Sequence, residues 1–392
     1  MLKITGASVI TDRIERKNVY IENGVIYAIT DEELPFDELI DAEGKYLSPG
    51  FIDTHVHGGG GYDFLDGTRD AVIGAIELHF RHGTTAIMPT TCADSFDSLI
   101  RAIKAIAEVE REGSTDCHIV GIHLEGPYFA PSQAGAQDPE LLKTPRREEY
   151  EALVEAGGGL VRKFSLAPEL DGAVEACKYL SERGIYTLAA HTDAEYDDIK
   201  RAVEAGLGGV AHLYSAMSTI TRRGGFRRLG VIESAYLFDE ITAEIIADGC
   251  HLPPELLRYI VRFKGTDRVA LVTDAMRGAG GRDGEETMLG NENSGIRCII
   301  EDGVAKMPDR TCFAGSVATT DRLVRTMRDK AGCSIVDAVK MMTKVPALAW
   351  GVKNKGEIKV GYDADLLIFD ESINVEKIIV KSGENIKIVS NM

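Results

Sequence analysis

Leu47-Ser48-Pro49-Gly50-Phe51-Ile52-Asp53-Thr54-His55-Val56-His57-Gly58 carries a Pro-Gly turn, a short apolar run and two histidines one residue apart, and it leads into a glycine cluster. Residues i and i+2 of a strand project to the same face. His55 and His57 therefore point the same way from the end of one strand. Two imidazoles side by side form half of a metal site. Taken alone they are equally two histidines at a strand end with no metal, so the rest of the chain has to supply the other ligands.

On the N-terminal side of this stretch the chain reads as short strands and tight turns. Residues 19–29 are two β runs around Asn23-Gly24, a strong hairpin signal. Residues 41–45 form another turn, and no helix is evident before residue 51. On the C-terminal side, short apolar runs alternate with amphipathic segments. The runs fall at 51–57, 84–90, 117–124, 161–168, 185–190, 209–213, 242–248 and 268–273. Helices are expected near 69–82, 95–111, 146–156, 171–183, 195–205 and 253–263.

Eight such units imply a parallel sheet closed into a (β/α)8, TIM-type barrel, an α/β fold. Chemistry in such a barrel sits where the strands end. The residues at those ends are His55 and His57, Glu125, His191, His212 and Asp274.

After Asp274 comes a Gly-rich segment, 277–281. An inserted hairpin turning at Asp302-Gly303 follows, then helices near 320–331 and 334–343. Residues 356–370 and 375–380 return to strand texture. Both ends of the chain are thus β, with a barrel between them. The economical arrangement is one small β-sandwich of residues 1–50 plus 352–392, with the barrel spanning 51–351.

Composition narrows the partners. The 392 residues carry 62 acidic and 44 basic side chains, a net charge of −18. Nucleic acid and anionic membranes both need a basic surface, so neither is expected as a partner. Seven cysteines with no C-x-x-C pair argue against a disulfide framework or a zinc ribbon and for a reducing, cytoplasmic setting. Met1-Leu2-Lys3-Ile4-Thr5-Gly6 has no apolar core, so no signal peptide is expected. No stretch approaches the roughly 20 apolar residues of a membrane span.

Imidazole nitrogens and carboxylate oxygens suit zinc, iron, manganese or cobalt, one or two ions per chain. One ion could take Glu125, His191 and His212. A second could take His55, His57 and Asp274, with Glu125 bridging. Such an ion lowers the pKa of bound water towards about 7 and polarises a carbonyl oxygen. Asp274 is placed to take that water's proton and pass it to a leaving amine. The chemistry is metal-assisted hydrolysis of an amide or related C–N bond. His79, His82, His118 and His123 read instead as packed or surface histidines. His123 is the hardest to assign, because it lies two residues before Glu125 and shares its face.

The opening stretch and Gly356-Glu357-Ile358-Lys359-Val360-Gly361-Tyr362-Asp363-Ala364-Asp365-Leu366 resemble the two signatures of the amidohydrolase superfamily. Within it the chain resembles the N-acetylglucosamine-6-phosphate deacetylases. The marks are His123-Leu124-Glu125-Gly126-Pro127-Tyr128, Leu166-Ala167-Pro168-Glu169, Ala189-Ala190-His191-Thr192, Ala211-His212-Leu213-Tyr214, the segment 244–249, Val272-Thr273-Asp274-Ala275 and Ala314-Gly315-Ser316.

The resemblance implies a barrel with a β-sandwich, a homodimer, and removal of acetate from a 2-acetamido sugar phosphate. It implies the metal set Glu125, His191 and His212 with Asp274 catalytic. It also implies a second metal in members that keep the His-x-His pair, as His55 and His57 do. Many superfamily members bridge two metals with a lysine at the end of the fourth strand; Lys163 lies too early for that, and Glu125 takes the role.

For the substrate, the resemblance implies that His251 and Gln137 line the sugar pocket. The family motif His-Leu-Tyr-Asn-Ala-Met reads here as His212-Leu213-Tyr214-Ser215-Ala216-Met217, so Ser215 replaces a phosphate-holding asparagine beside Ala216. Arg223, in an unusually long basic segment, matches a phosphate-binding arginine contributed across the subunit interface. That run could also be a solvated basic loop. The altered residues leave a second N-acetylated sugar, of galactosamine or mannosamine type, as an alternative substrate. Another amidohydrolase, such as an adenine deaminase or a dihydroorotase, fits less well because of the glutamate ligand. A non-catalytic scaffold fits less well because Asp274 is kept.

Overall fold

In a computed structural model, which describes residues 1–391, the apolar runs become eight parallel strands. They are β1 (Phe51–Val56), β2 (Thr84–Thr91), β3 (Ile122–Glu125), β4 (Val161–Leu166), β5 (Tyr186–Ala189), β6 (Leu207–Val210), β7 (Thr242–Ile245) and β8 (Val269–Leu271). Each pairs with the next in parallel. Every residue of β1, β2, β3 and β7 is buried, as expected for strands covered on both faces.

The seam between the eighth unit and the first is closed just past the strand ends. Asp274 N donates to His55 O at 2.8 Å, His57 N to Ala275 O at 2.8 Å, and Thr273 Oγ1 to the buried Asp53 Oδ2 at 2.5 Å.

Helices cover the barrel with apolar stripes. In Phe96–Glu112, Leu99, Ala102, Ile103, Ile106 and Val109 recur at helical spacing and join the main core. Ser95 caps its start by accepting from Ser98 N, and Gly113, at φ 62°, ends it.

Three regions depart from the sequence reading. Between β6 and β7, the basic segment is an antiparallel pair, Thr221–Arg223 with Phe226–Arg228, turned by Gly224 and Gly225 at φ 56° and 90°. The seven-residue helix Val231–Leu237 follows it. Three-residue arms rich in arginine carry no hydrophobic alternation, and one short helix gives too few turns for a readable stripe. The insertion after β8 has three strands rather than two: Glu286–Leu289, Ile296–Glu301 and Val304–Lys306, with Asp302-Gly303 turning the second pair. A further helix, Lys344–Ala349, continues Ile335–Met342.

The termini meet as expected. Leu2–Thr5, Asn18–Glu22, Val25–Thr30 and Glu38–Asp41 form one sheet. Ser8–Ile10, Ile14–Glu15, Tyr46–Pro49, Leu366–Phe369, Val375–Ser382 and Asn385–Ser390 form the other. Their shared core joins Ile4, Val9, Val19, Ile26 and Leu47 to Leu366, Ile368 and Ile379. Strand Leu366–Phe369 is two-faced. Its alternation sends Leu366 and Ile368 into this core and Leu367 and Phe369 into the barrel core. Phe369 packs against Tyr46 and Phe51, with ring centroids at 5.6 and 6.4 Å. Phe369→Ala is expected to cost about 3–5 kcal/mol in urea unfolding; a loss below about 1 kcal/mol would show that this face does not tie the two cores together.

Candidate active site

Each of the six strand-end residues is delivered to the mouth by the strand before it. His191, His212 and Asp274 stand just beyond β5, β6 and β8, with left-handed backbones at φ 45°, 29° and 48°. Non-glycine residues avoid this region, and holding one there costs about 1–3 kcal/mol.

Glu125, the last residue of β3, is at the centre. Its Oε1 is 2.9 Å from His212 Nε2 and 3.4 Å from both His191 Nε2 and His55 Nε2. Its Oε2 is 3.4 Å from His57 Nε2. Asp274 Oδ1 lies 3.1 Å from His57 Nε2 and 3.6 Å from His55 Nε2. Two sets of ligand atoms converge to within 4.8 Å, His55–His57–Glu125 and Glu125–His191–His212, and Glu125 belongs to both.

These residues fit a divalent cation. His55 Nε2 is buried with no hydrogen-bond partner. His191 Nδ1 faces Gln133 O at 2.8 Å and His55 Nδ1 faces Glu244 Oε2 at 3.2 Å, which puts an N–H on each Nδ1 and turns both Nε2 atoms towards Glu125, where a cation would take them. The donor set is all nitrogen and oxygen, which suits zinc, iron, manganese or cobalt.

The electrostatics point the same way. Burial pulls the His55 and His57 imidazoles down, but the surrounding carboxylates outweigh it. His55 is pushed up to about 9, chiefly by Glu125, and His57 up to about 10, chiefly by Asp274 and Glu125. Burial opposes the charges on Glu125 and Asp274, yet the imidazoles hold Glu125 well below the ordinary carboxylate range and Asp274 below it.

A cavity of about 230 Å³ opens above the cluster. Gln137, Ser215, Ala216 and His251 line it together with Phe313. Gln137 Oε1 accepts from Ala93 N at 2.9 Å, and its Nε2 is 3.2 Å from His191 Nε2. His251 is braced by Asp248 Oδ2, 2.8 Å from Nδ1, and by the Phe313 ring at 4.9 Å. Arg223 is not brought to this cavity within the chain. It is 75% exposed and pairs with Glu195 at 3.1 Å. No lysine or arginine is among the described residues lining the cavity. A larger hollow of about 840 Å³, between the helix Arg69–Arg81 and the last strand, contains none of the six residues.

The other histidines have ordinary partners. His79 is buried with Nε2 2.9 Å from Gly58 O. His123 lies between Ser165 Oγ at 2.7 Å and Thr90 Oγ1 at 3.3 Å. His82 and His118 stand beside Asp321 and Asp365 at 3.3 and 3.4 Å. Lys163 turns inside the barrel to Thr54 O and Glu244. Sequence reasoning gave Glu244 and Phe313 no role. The signal for Glu244 was present: a carboxylate inside an otherwise apolar strand needs a buried partner. Phe313 had none, since it enters from the insertion.

The amidohydrolase family model matches residues 46–391. The chain belongs to the amidohydrolase family. Among its relatives, N-acetylglucosamine-6-phosphate deacetylase of Lysinibacillus sphaericus is 32% identical over 372 residues, covering 95% of this chain and 93% of that one. N-acetylgalactosamine-6-phosphate deacetylase of Escherichia coli O157:H7 is 31% identical, covering 92% of each. A mutant N-acetyl-D-glucosamine-6-phosphate deacetylase from Mycobacterium smegmatis, solved in complex with N-acetyl-D-glucosamine-6-phosphate, superposes with a TM-score of 0.88 at 31% identity, covering 97% of this chain and 98% of that one.

In this amidohydrolase the carboxylates around His55 and His57 favour the protonated imidazoles when no cation is bound. A cation at that pair must displace protons, so its affinity should rise from pH 7 towards about 9 and fall on acidification. Calorimetric titration with Mn²⁺ or Zn²⁺ in buffers of different ionisation enthalpy should show about one to two protons released per cation there. Zero release at pH 7 would contradict the protonated pair.

Proposed function

We propose that this amidohydrolase removes the acetyl group from N-acetyl-D-glucosamine 6-phosphate, giving glucosamine 6-phosphate and acetate. The reading is carried by one observation: Asp274 and two overlapping nitrogen–oxygen ligand groups converge below a cavity lined by polar side chains. The deacetylase relatives along nearly the whole chain name the substrate class.

Glu125, His191 and His212 would hold one divalent cation, and His55 and His57, beside Glu125, would hold a second. A cation held there supplies an activated water and polarises the amide carbonyl oxygen. Asp274, ionised in its histidine-rich surroundings, takes a proton from the attacking water. As the new C–O bond forms and the C–N bond breaks, Asp274 delivers that proton to the amine nitrogen. His251, fixed by Asp248 and Phe313, and Gln137, fixed by Ala93, orient the sugar. Ser215 and Ala216 line the same cavity.

The phosphate needs a cation that the cavity lacks. Arg223 is assigned that role across a homodimer interface, where its planar guanidinium can grip phosphate in bidentate fashion. The exposed side chains Ile220, Phe226, Leu237, Tyr259 and Phe263, on or near the arginine hairpin and the two helices that follow, suit such an interface. Seven free cysteines suit a reducing cytoplasm. A second reading, the galactosamine epimer, is favoured by a specific observation: the N-acetylgalactosamine-6-phosphate deacetylase of Escherichia coli is as similar as the glucosamine enzymes.

Acetate release from N-acetylated glucosamine, galactosamine and mannosamine, each with and without 6-phosphate, tests the reading. No release from any phosphorylated sugar would sink it. Asp274→Asn should lower kcat by about 10²–10⁴-fold with metal content nearly unchanged; a large loss of metal would show that Asp274 acts as a ligand instead. Arg223→Ala should raise KM for the phosphorylated sugar by about 10–100-fold, the range for a lost charge-assisted hydrogen bond. Equal effects on the unphosphorylated sugar would remove Arg223 from the phosphate site.

A further inference from the structure

Glu244 and Lys163 are both fully buried, and the mechanism above uses neither. Their contacts converge on two adjacent residues of β1. Glu244 Oε2 is 3.2 Å from His55 Nδ1, and Oε1 accepts from Lys163 Nζ and, at 3.4 Å, from Thr54 Oγ1. Lys163 Nζ also donates to Thr54 O at 2.8 Å and lies 5.1 Å from the Trp350 ring centroid. The carboxylate therefore grips the ring of His55, while the ammonium grips the backbone just before it.

Burying two ions costs several kcal/mol each, and apolar residues of similar volume often fill such space at least as stably. Stability alone does not explain the pair. Among the four histidines around Glu125, His55 is the one whose Nδ1 meets a carboxylate. His191 uses a backbone carbonyl, and Nδ1 of His57 and His212 has no partner among the described residues. A carboxylate on the far nitrogen fixes a ligand's tautomer and ring orientation and raises its basicity. Lys163 neutralises Glu244 so that this carboxylate can stay in the core.

We infer that Glu244 and Lys163 are positioning residues for His55, and that they determine how tightly a second divalent cation is held at the His55–His57 group. The inference rests on the two-cation reading above. Glu244 holds the Nδ1 proton of His55, so that Nε2, facing Glu125, is the atom a cation would take. Lys163 keeps the strand from sliding along the barrel wall.

The test compares two charge-free doubles, Lys163→Met/Glu244→Leu and Lys163→Met/Glu244→Gln. Metal per subunit is measured by plasma emission, and affinity by titration against a competing chelator, with Mn²⁺ and Zn²⁺. The leucine double should bind the first cation like the parent and the second about 10–100-fold more weakly. The glutamine double should recover most of that loss, since its amide oxygen accepts from Nδ1–H. Unchanged second-cation affinity in the leucine double overturns the inference, as do equal losses in both doubles. A parent that binds one cation only overturns the two-cation reading itself and this role with it. A measurement on the parent needs no variant: ¹⁵N spectra of the metal-loaded protein should show His55 protonated at Nδ1, and the opposite tautomer would overturn the role.

Discussion

Glu125 is a buried carboxylate with no lysine or arginine partner among the described residues, and four imidazoles surround it instead. A charge taken out of water must be compensated on the spot. Histidines meet that need in a way that cationic side chains of fixed charge cannot. They neutralise the carboxylate when protonated, and they yield to a divalent ion when one arrives. The geometry that makes Glu125 tolerable without a cation is also what places it in both candidate ligand groups.

Two of these histidines, His55 and His57, also close the barrel. Asp274 donates its amide to His55 O, and His57 donates to Ala275 O, across the seam between the eighth unit and the first. Left-handed backbones at His191, His212 and Asp274 are costly, and they persist because buried strands on either side hold them. Site and seam are thus one structure. At Asp274 a substitution that shifts the backbone acts on the seam and on the site together.

Much of this was legible because barrel geometry converts position into chemistry. Strand ends fall where the apolar runs stop, and the period of two put His55 and His57 on one face without any knowledge of their neighbours. The set Glu125, His191, His212 and Asp274 followed from the same rule. What the rule misses is depth. Glu244 and Lys163 sit inside strands, below the mouth, and only side-chain contacts across the barrel interior, Glu244 to His55 and Lys163 to Glu244, bring them beside His55. The short helix Val231–Leu237 and the arginine hairpin escaped notice because neither is long enough to display a period. Phe313 reaches the cavity from the segment that follows the inserted sheet, and no local pattern announces such a contact.

The two-faced strand Leu366–Phe369 bears on how the protein is made. Its neighbour in the sheet is Tyr46–Pro49, and contacts between these regions join residues more than 300 positions apart, such as Tyr46 and Glu371 at 325. A ribosome adding about 5–20 residues per second takes on the order of 15–60 s to cover that interval. Throughout it, the first sheet has emerged with its apolar face uncovered, and the barrel lacks Leu367 and Phe369. Both cores are therefore completed only when synthesis is almost over, by the one strand that they share.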